Sequence, residues 1–337
     1  MRLVQLQHSM EGRRVARVDG NTLRLLAPSR SVYQCALTAL HTGRSLAEQV
    51  LAEDSGHTID YEPVYQGQSD WRLLPPIDHP EERARCLVSG TGLTHLQGAS
   101  GRDAMHRQTD ALPDAGPITD SMQMYRWGIA GGRPAPGAIG VQPEWFYKGN
   151  GTILRAHGEP LEVPRFAEDG GEEAEVAGAY LIDANGHPRR LGFVIGNEFS
   201  DHRMERRNYL YLAPSKLRPC AIGPELALGV AFQDLPGEVR IERNGQTLWS
   251  ASIATGEAHM AHSLANLEHH HFKYPAHRRP GDVHIHFFGT GAFSFSAGIT
   301  LEEGDRMIID IPALGRPLIN PLHRDTEPDT PVVVLAL

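Results

Sequence analysis

Residues 173–200 of this chain read EAEVAGAYLIDANGHPRRLGFVIGNEFS. Two apolar runs, Val176–Ile182 and Leu191–Gly196, lie on either side of the dipeptide Asn185-Gly186. Asn-Gly between apolar runs is the strongest short signal for a β-hairpin. The stretch therefore predicts two antiparallel strands that are joined by a turn at Asn185-Gly186.

Three carboxylates belong to this predicted hairpin. Glu173 and Glu175 share one face of the first strand because side chains two residues apart point the same way. We expect Glu198, just past the second strand, to lie near them. Three such carboxylates repel one another unless a hard cation lies between them. For the first two glutamates alone the alternative is a solvated acidic edge, because the stretch also carries Glu168, Asp169 and Glu172.

Oxygen-only ligands favour a hard cation over zinc. We therefore predict a Mg²⁺ site at Glu173, Glu175 and Glu198, with Mn²⁺ or Ca²⁺ as alternative ions.

These residues also resemble the metal-binding core of the fumarylacetoacetate hydrolase superfamily. Four more segments, between roughly residues 85 and 322, resemble that superfamily in the same order. They are Pro143–Gly149, Ser215-Lys216 with Ala221–Pro224, Pro280–Asp282 with Gly289–Gly291, and Glu303–Asp305 with Ala313–Asn320. Within the superfamily, Asn197–His202 and Tyr209–Ala213 resemble the branch that dehydrates 2-keto-3-deoxy sugar acids.

The resemblance implies an α+β fold whose catalytic domain is a mixed β-sandwich or roll of the fumarylacetoacetate hydrolase type. We assign residues 81–337 to that domain and residues 1–80 to a small N-terminal α+β domain. Pro75, Pro76 and Pro80 form an extended connection between the two, since proline keeps the preceding residue out of the helical region. The resemblance also implies a homodimer formed through the β-rich domain.

The composition excludes several classes of protein. The chain has 337 residues and a net charge of −9, with 32 basic and 41 acidic residues, which argues against a nucleic-acid partner. No uncharged apolar stretch approaches the roughly 20 residues that span a membrane, and the N-terminus lacks the apolar core of a signal peptide. The three cysteines are too few for a disulfide framework or a zinc site. We expect a cytoplasmic protein with free thiols.

The local pattern outside the hairpin predicts further elements. Helices are expected over Tyr33–Thr42, Leu46–Ala52 and Thr255–Leu267. A second hairpin is expected around Asn244-Gly245. Residues 98–140, rich in Gly, Pro and Asp, predict a long functional loop with one helix around Ser121–Gly128.

The resemblance supplies candidate substrate contacts. It makes Lys216 a catalytic residue that acts as a base or donates a hydrogen bond to an enolate. Lys148 matches a second lysine that helps to hold the site. Thr290 matches a threonine that binds the substrate carboxylate, and Gly289 beside it allows a close backbone approach. Ser89 is a further candidate contact.

Two histidines stand where this chain departs from the superfamily. His95 is a candidate catalytic residue, but the glutamate that often follows it three residues later is Gly98 here. That loss weakens the case for water activation and thus for C–C hydrolysis. His202 replaces a common arginine and is a candidate substrate contact. The other histidines, dense over residues 259–286, form no His-Glu-x-x-His motif and have no cysteine partners, so we interpret them as structural.

The predicted function is that of a Mg²⁺-dependent lyase. It would dehydrate a 2-keto-3-deoxy sugar acid, a pentonate above all, to 2-oxoglutarate semialdehyde through an enolate that the metal stabilises. Hydrolysis of a 2,4-diketo acid or decarboxylation of a keto acid is the alternative on the same fold. A non-catalytic scaffold is the alternative of another class. The predicted partner is a small 2-oxo acid, with no nucleic acid and no membrane.

Overall fold

The computed structural model describes residues 1–107 and 119–337. The helices are α1 Val32–Thr42, α2 Leu46–Ala52, α3 Tyr61–Tyr65, α4 Leu96–Arg107, α5 Asp120–Gly131, α6 His202–Arg207, α7 Leu212–Lys216 and α8 Leu264–Phe272. The strands are β1 Arg2–His8, β2 Gly12–Asp19, β3 Thr22–Leu26, β4 Asp54–Asp60, β5 Trp71–Leu74, β6 Cys86–Gly90, β7 Phe146–Asn150, β8 Leu154–Arg155, β9 Leu161–Val163, β10 Ala174–Ile182, β11 Pro188–Asn197, β12 Cys220–Ile222, β13 Leu226–Ala227, β14 Leu235–Arg243, β15 Gln246–Thr255, β16 Val283–Phe287, β17 Arg306–Asp310 and β18 Leu318–Arg324.

The predicted hairpin forms the centre of a large mixed sheet. Its strands β10 and β11 pair antiparallel, with Glu175 opposite Gly196. The main path of this sheet runs β4-β3-β2-β1-β13-β11-β10-β16-β6-β7, and β16 pairs parallel with β6. The hairpin at Asn185-Gly186 and the mixed sheet of an α+β protein are confirmed.

A second sheet, in the order β15-β14-β17-β18-β9, packs on one face of the first. The cluster between them joins Val176 and Ile195 of the large sheet to Val239 and Ile309 of the small one, all at most 1% exposed. The opposite face of the large sheet is covered by α1 and α2, where Cys35 is fully buried. The second predicted hairpin is confirmed as β14 and β15.

The N-terminal strands continue the large sheet. β1 pairs with β13, where Leu3 lies opposite Leu226, and also with β2 and β5. These strands enclose an apolar cluster of their own, which includes Leu6 and Leu23. The domain boundary near residue 80 stays a prediction.

Of the three helices predicted outside the long loop, two are confirmed. The helices at the N-terminus are confirmed as α1 and α2. The helix predicted over Thr255–Leu267 is wrong in its bounds, because Thr255 ends β15, Glu257–His259 form a single 3-10 turn and α8 begins only at Leu264. Ser263 begins α8 by accepting a hydrogen bond from the backbone of Asn266, a normal N-cap.

The predicted loop over residues 98–140 is wrong where α4 occupies it, whereas the helix predicted around Ser121–Gly128 is confirmed as part of α5. Arg102 of α4 is buried in an ionic cluster with Glu144 and Glu205. Residues 108–118 of the predicted loop lie outside the described residues.

The described parts of the chain contain no helix with the length and apolar character needed to traverse a bilayer. All three cysteines are buried free thiols, as predicted.

A cluster of histidines joins α8 to β16 and β6. His286 Nδ1 lies 2.9 Å from Ser89 Oγ, and its Nε2 lies 2.8 Å from Thr91 Oγ1. His271 Nε2 lies 3.0 Å from His284 Nδ1. Burial lowers the pKa of His284 and of His286 to about 3 in each case. These histidines are therefore neutral members of the core near pH 7.

This cluster predicts a pH-dependent stability. An unfolded histidine titrates near pH 6.5, whereas the folded pKa of His286 is about 3. As the pH falls through this window the unfolded state takes up a proton that the folded state does not, so the free energy of unfolding decreases. The slope is up to about 1.4 kcal/mol per pH unit for each such histidine. Urea unfolding of His286→Gln between pH 5 and 7 should therefore show a shallower slope than that of the wild type.

The exposed His41 offers the matched control. His41→Gln should keep the wild-type slope. Equal slopes in the wild type and His286→Gln would contradict the prediction.

Candidate metal centre and its cavity

The three predicted carboxylates meet where the central hairpin ends. Glu173 directly precedes β10, Glu175 lies within it, and Glu198 directly follows β11. The backbone N–H of Glu198 donates to the Glu173 carbonyl at 3.0 Å, which holds the start of β10 and the end of β11 side by side. One oxygen from each carboxylate lies within 4.8 Å of the others, and all three side chains are buried.

Lys216, at the end of α7, is the main cation of this group. Its Nζ donates to Glu173 Oε1 and to Glu198 Oε2, both at 2.8 Å, and to Ser200 Oγ at 2.7 Å. The ammonium also lies 4.8 Å from the centre of the Phe146 ring, a cation–π distance. Burial lowers the Lys216 pKa, but Glu173 and Glu198 raise it by more, so the net shift is upward.

Glu175 is the least compensated of the three carboxylates. Burial, followed by the charges of Glu173 and Glu198, raises its pKa well above the ordinary value. Its one hydrogen bond among the described residues comes from the Gly289 backbone N–H at 2.7 Å. A divalent cation would relieve this repulsion, since opposite charge favours the ionised form. The residues present therefore fit a hard cation with oxygen ligands.

The Gly289–Thr290 corner follows β16 and supports this group. Gly289 has φ +94°, and a Cβ there would lie 2.1 Å from Thr94 Oγ1, so no larger residue fits. The Thr290 hydroxyl lies 3.1 Å from the Ala174 carbonyl and 2.9 Å from the Ala292 carbonyl. Thr290 also lines the cavity beside Glu173. The structure thus brings both predicted residues to the carboxylates.

Lys148 is fully buried beneath the site rather than directed into its cavity. Its Nζ donates to the carbonyls of Phe199 and Lys216 at 2.8 and 3.0 Å and lies 2.7 Å from Glu198 Oε1. Burial lowers its pKa, against the opposing charge of Glu198. Phe199 has φ +54°, a left-handed backbone that is costly for a bulky residue. Lys148 therefore holds together the loop after Glu198 and the end of α7, which carries Lys216.

His202, the first residue of α6, lies against Glu173. Its Nε2 lies 3.1 Å from Glu173 Oε1, and its ring stacks on Phe293 and Phe295 with centroids 5.1 Å apart in both cases. Burial lowers its pKa, but the hydrogen bond and the charge of Glu173 raise it overall. His202 also lines the cavity, so the structure brings this predicted residue to the site.

An ionic cluster that sequence reasoning missed forms another wall of this cavity. Arg102 of α4 donates through Nη1 to both oxygens of Glu144, at 3.0 and 2.9 Å. Its Nε lies 2.7 Å from Glu205 Oε1 on α6. All three side chains are buried. Glu144 could have been singled out because it stands within the Pro143–Gly149 segment, whereas nothing in the local pattern marks Arg102 or Glu205.

The cavity that these walls enclose is narrow. Its free volume is about 10 Å³, room for about one water molecule. Gly92, Gly98 and Arg102 contribute to its wall, so a larger ligand has to displace the segment around α4.

Two predicted residues are not brought to this cavity. His95 has its ring nitrogens 2.9 Å from Thr94 Oγ1 and 3.0 Å from Thr255 Oγ1. Burial lowers its pKa to about 4, and it lines a separate surface pocket with His259. Ser89 belongs to the histidine cluster of α8 and β16.

Comparison with known proteins supports the fold. A 2-keto-3-deoxy-D-arabinonate dehydratase, solved in complex with magnesium and 2,5-dioxopentanoate, superposes with a TM-score of 0.70 over 97% of this chain and 100% of that chain, at 21% identity. The chain therefore has the fold of this dehydratase, an α+β fold of the fumarylacetoacetate hydrolase type. The predicted resemblance and fold class are thereby confirmed.

Two curated proteins match part of this chain. The 2-dehydro-3-deoxy-D-arabinonate dehydratase of Saccharolobus solfataricus is 26% identical over 206 residues, 59% of this chain and 60% of the relative. A Haloferax volcanii protein with the name "Probable 2-keto-3-deoxyxylonate dehydratase" is 26% identical over 179 residues, 52% of this chain and 58% of the relative. The chain thus spans about three fifths of the length of these relatives. No protein-family model matches it.

Because the charge of Glu175 is poorly compensated, replacing this residue should have opposite effects on stability and on metal binding. Glu175→Gln removes one of three repelling carboxylates, so the metal-free protein should gain about 1 kcal/mol in its free energy of unfolding. The same change removes an anionic ligand, so the affinity for Mg²⁺ should fall at least about tenfold. Urea unfolding in EDTA and calorimetric titration with Mg²⁺ measure the two effects.

Glu162→Gln on the exposed face of β9 is the control for the loss of one negative charge. It should change neither quantity. A Glu175→Gln protein that is less stable without metal and binds Mg²⁺ like the wild type would refute the assignment.

Proposed function

We propose that this protein is a Mg²⁺-dependent lyase that dehydrates a 2-keto-3-deoxy sugar acid, with a 2-keto-3-deoxypentonate as substrate and 2,5-dioxopentanoate (2-oxoglutarate semialdehyde) as product. The observation that carries the proposal is the group of three buried carboxylates beside one lysine and a cavity. The names of the matched relatives support this choice of reaction.

Glu173, Glu175 and Glu198 would hold the cation at the inner end of the cavity. When bound, the ion supplies Lewis-acid polarisation of the 2-keto group and so acidifies the proton on carbon 3. Buried oxygen ligands suit Mg²⁺, and Mn²⁺ or Ca²⁺ would fit the same donor set. Thr290 and the backbone around Gly289 would orient the carboxylate end of the substrate.

Lys216 is the residue that we assign to the carbon-3 proton. Its Nζ already lies 2.8 Å from two of the carboxylates. A dication held by the same carboxylates would compensate their charge, which here raises the Lys216 pKa, and so would favour the neutral amine that a base requires. His95 is the less suitable base, because both its ring nitrogens contact hydroxyl groups away from the cavity.

Elimination also needs a proton for the departing hydroxyl on carbon 4. Glu144 is the candidate acid, since burial raises its pKa against the opposing charge of Arg102. It lies beside the cavity wall, where a Cβ on Gly92 would come within 2.5 Å of Glu144 Oε2. The carbon-3 proton then goes to the base and the carbon-4 hydroxyl leaves as water, which gives 5-hydroxy-2-oxopent-3-enoate. Tautomerisation of this enone, without further loss of atoms, converts its carbon-5 alcohol to the aldehyde of 2,5-dioxopentanoate.

Gly98 favours dehydration over C–C hydrolysis. A Cβ at this position would lie 2.3 Å from the Thr290 carbonyl oxygen. No glutamate can therefore stand there to activate water together with His95 while α4 occupies this position. The scaffold alternative is disfavoured because burying three carboxylates is costly unless they bind something.

A homodimer formed through the β-rich part and a cytoplasmic location stay predictions. Sedimentation equilibrium would test the first.

The decisive assay uses purified protein with Mg²⁺ and 2-keto-3-deoxypentonates. We expect formation of 2,5-dioxopentanoate, followed by NMR, and its loss when EDTA removes divalent ions. Cleavage of a 2,4-diketo acid without any dehydration would instead favour the hydrolase alternative. If neither pyruvate nor oxalate bound in the presence of Mg²⁺, the scaffold would be favoured.

Substitution of Lys216 tests its role in proton transfer. Lys216→Met should lower kcat at least about 100-fold, while calorimetry should show that Mg²⁺ binding is retained, because the three carboxylates remain. Lys273→Met, at an exposed lysine, is the matched control and should keep wild-type kcat. A Lys216→Met enzyme with unchanged kcat would remove Lys216 from the reaction.

A further inference from the structure

Glu205 is a buried carboxylate whose contacts are incomplete. Its side chain is 1% exposed and lines the cavity beside Glu173 and Thr290. Neither of its oxygens accepts a hydrogen bond from the described residues. Its contact with Arg102 Nε, at 2.7 Å, is an ion pair without the alignment of a hydrogen bond. Buried carboxylates normally accept several hydrogen bonds, so this one has free acceptor capacity at the cavity wall.

Arg102 provides a donor at the same place. Its Nη1 is used by Glu144 and its Nε faces Glu205. No described residue accepts a hydrogen bond from the remaining amino group, Nη2. Arg102 also lines the cavity. A rigid guanidinium donor thus stands next to an acceptor that lacks donors.

A hydroxyl group matches this pair. It donates one hydrogen bond and accepts others, so one alcohol can satisfy both the carboxylate and the guanidinium. A carboxylate on the ligand would be repelled by Glu205, and an aliphatic tail would leave both groups unsatisfied. The chemistry of this wall therefore selects a neutral, hydroxylated tail.

We propose that Arg102 and Glu205 bind the carbon-5 hydroxyl of the substrate and make this site specific for 2-oxo acids with a hydroxylated tail. This inference rests on the proposed dehydration. The cation that Glu173, Glu175 and Glu198 would hold binds the carboxylate and keto end of the substrate. The tail of the substrate therefore extends towards the wall formed by α4 and α6.

The carbon-4 hydroxyl fits this pair less well. It has to leave with a proton that a nearby acid must supply, whereas the two Glu205 oxygens lack donors and therefore accept hydrogen bonds. Glu144, whose pKa burial raises, suits that task better. Arg102 and Glu205 are therefore specificity residues for a hydroxyl that stays on the substrate.

Two acids that differ in one oxygen atom test the proposal. They are 2-keto-3-deoxypentonate and 4-hydroxy-2-oxopentanoate, which has a methyl group in place of the carbon-5 alcohol but keeps the carbon-3 proton and the carbon-4 hydroxyl. The wild type should favour the first in kcat/KM by at least about 100-fold, since a site built to bind a hydroxyl discriminates strongly against its absence. Glu205→Met should reduce this preference at least about tenfold, mainly through the hydroxylated acid.

Conservative and remote variants separate binding from folding. Glu205→Gln keeps an acceptor oxygen and should restore part of the preference. Glu162→Met, on the exposed face of β9, should keep the wild-type ratio. Calorimetry with Mg²⁺ should give the same affinity for Glu205→Met as for the wild type, which shows that the acidic group is intact.

Each result bears on one of the two proposals. Equal turnover of both acids by the wild type would overturn this inference and leave the dehydratase intact. An equal loss on both acids in Glu205→Met would make Glu205 a structural residue and would also overturn it. Turnover of neither acid by a wild type that binds Mg²⁺ would overturn the proposed function and, with it, the substrate to which this inference refers.

Discussion

Mutual repulsion among three buried carboxylates is the constraint on which the rest of this site depends. Glu173, Glu175 and Glu198 lie within a few ångströms of one another, in surroundings where water cannot screen them. Lys216 compensates two of them, whereas Glu175 receives a single backbone N–H. The net negative charge that remains favours the binding of a cation here. It is also the reason that so many of the neighbouring groups are hydrogen-bond donors.

The surrounding fold positions the residues of the site, at some local cost in backbone strain and lost solvation. The central hairpin sets the separation of its two ends, and β16 delivers Gly289 in a conformation that only glycine adopts readily. Phe199 takes a left-handed backbone, and Lys148 gives up its solvation to hold that loop. Such costs are normal where a polar site is held rigid for chemistry. The large apolar cluster between the two sheets offsets them.

A second set of charges lies across the cavity and has a different character. Arg102 balances Glu144 and Glu205 without fully satisfying Glu205. Under the two proposals, the acidic group would hold a cation that chelates an oxo acid, and the Arg102 wall would bind a neutral polar tail. Together they describe a ligand with an anionic oxo-acid head and a hydroxylated end, which agrees with the names of the matched relatives. In this proposal the acidic group and the Arg102 wall would act on opposite ends of the substrate.

The amino-acid sequence by itself determined the hairpin and its carboxylates, because period-two alternation and an Asn-Gly turn are local properties of the chain. The helices α1 and α2 were equally predictable, from helical spacing of apolar residues. Helix α4 was not, since it is stabilised by contacts such as that of Arg102 with residues about 40 and 100 positions away. Only the tertiary structure decided that His95 and Ser89 lie outside the cavity while Arg102, Glu144 and Glu205 line or adjoin it. Burial and charge pairing arise from residues distant in sequence, and no local pattern records them.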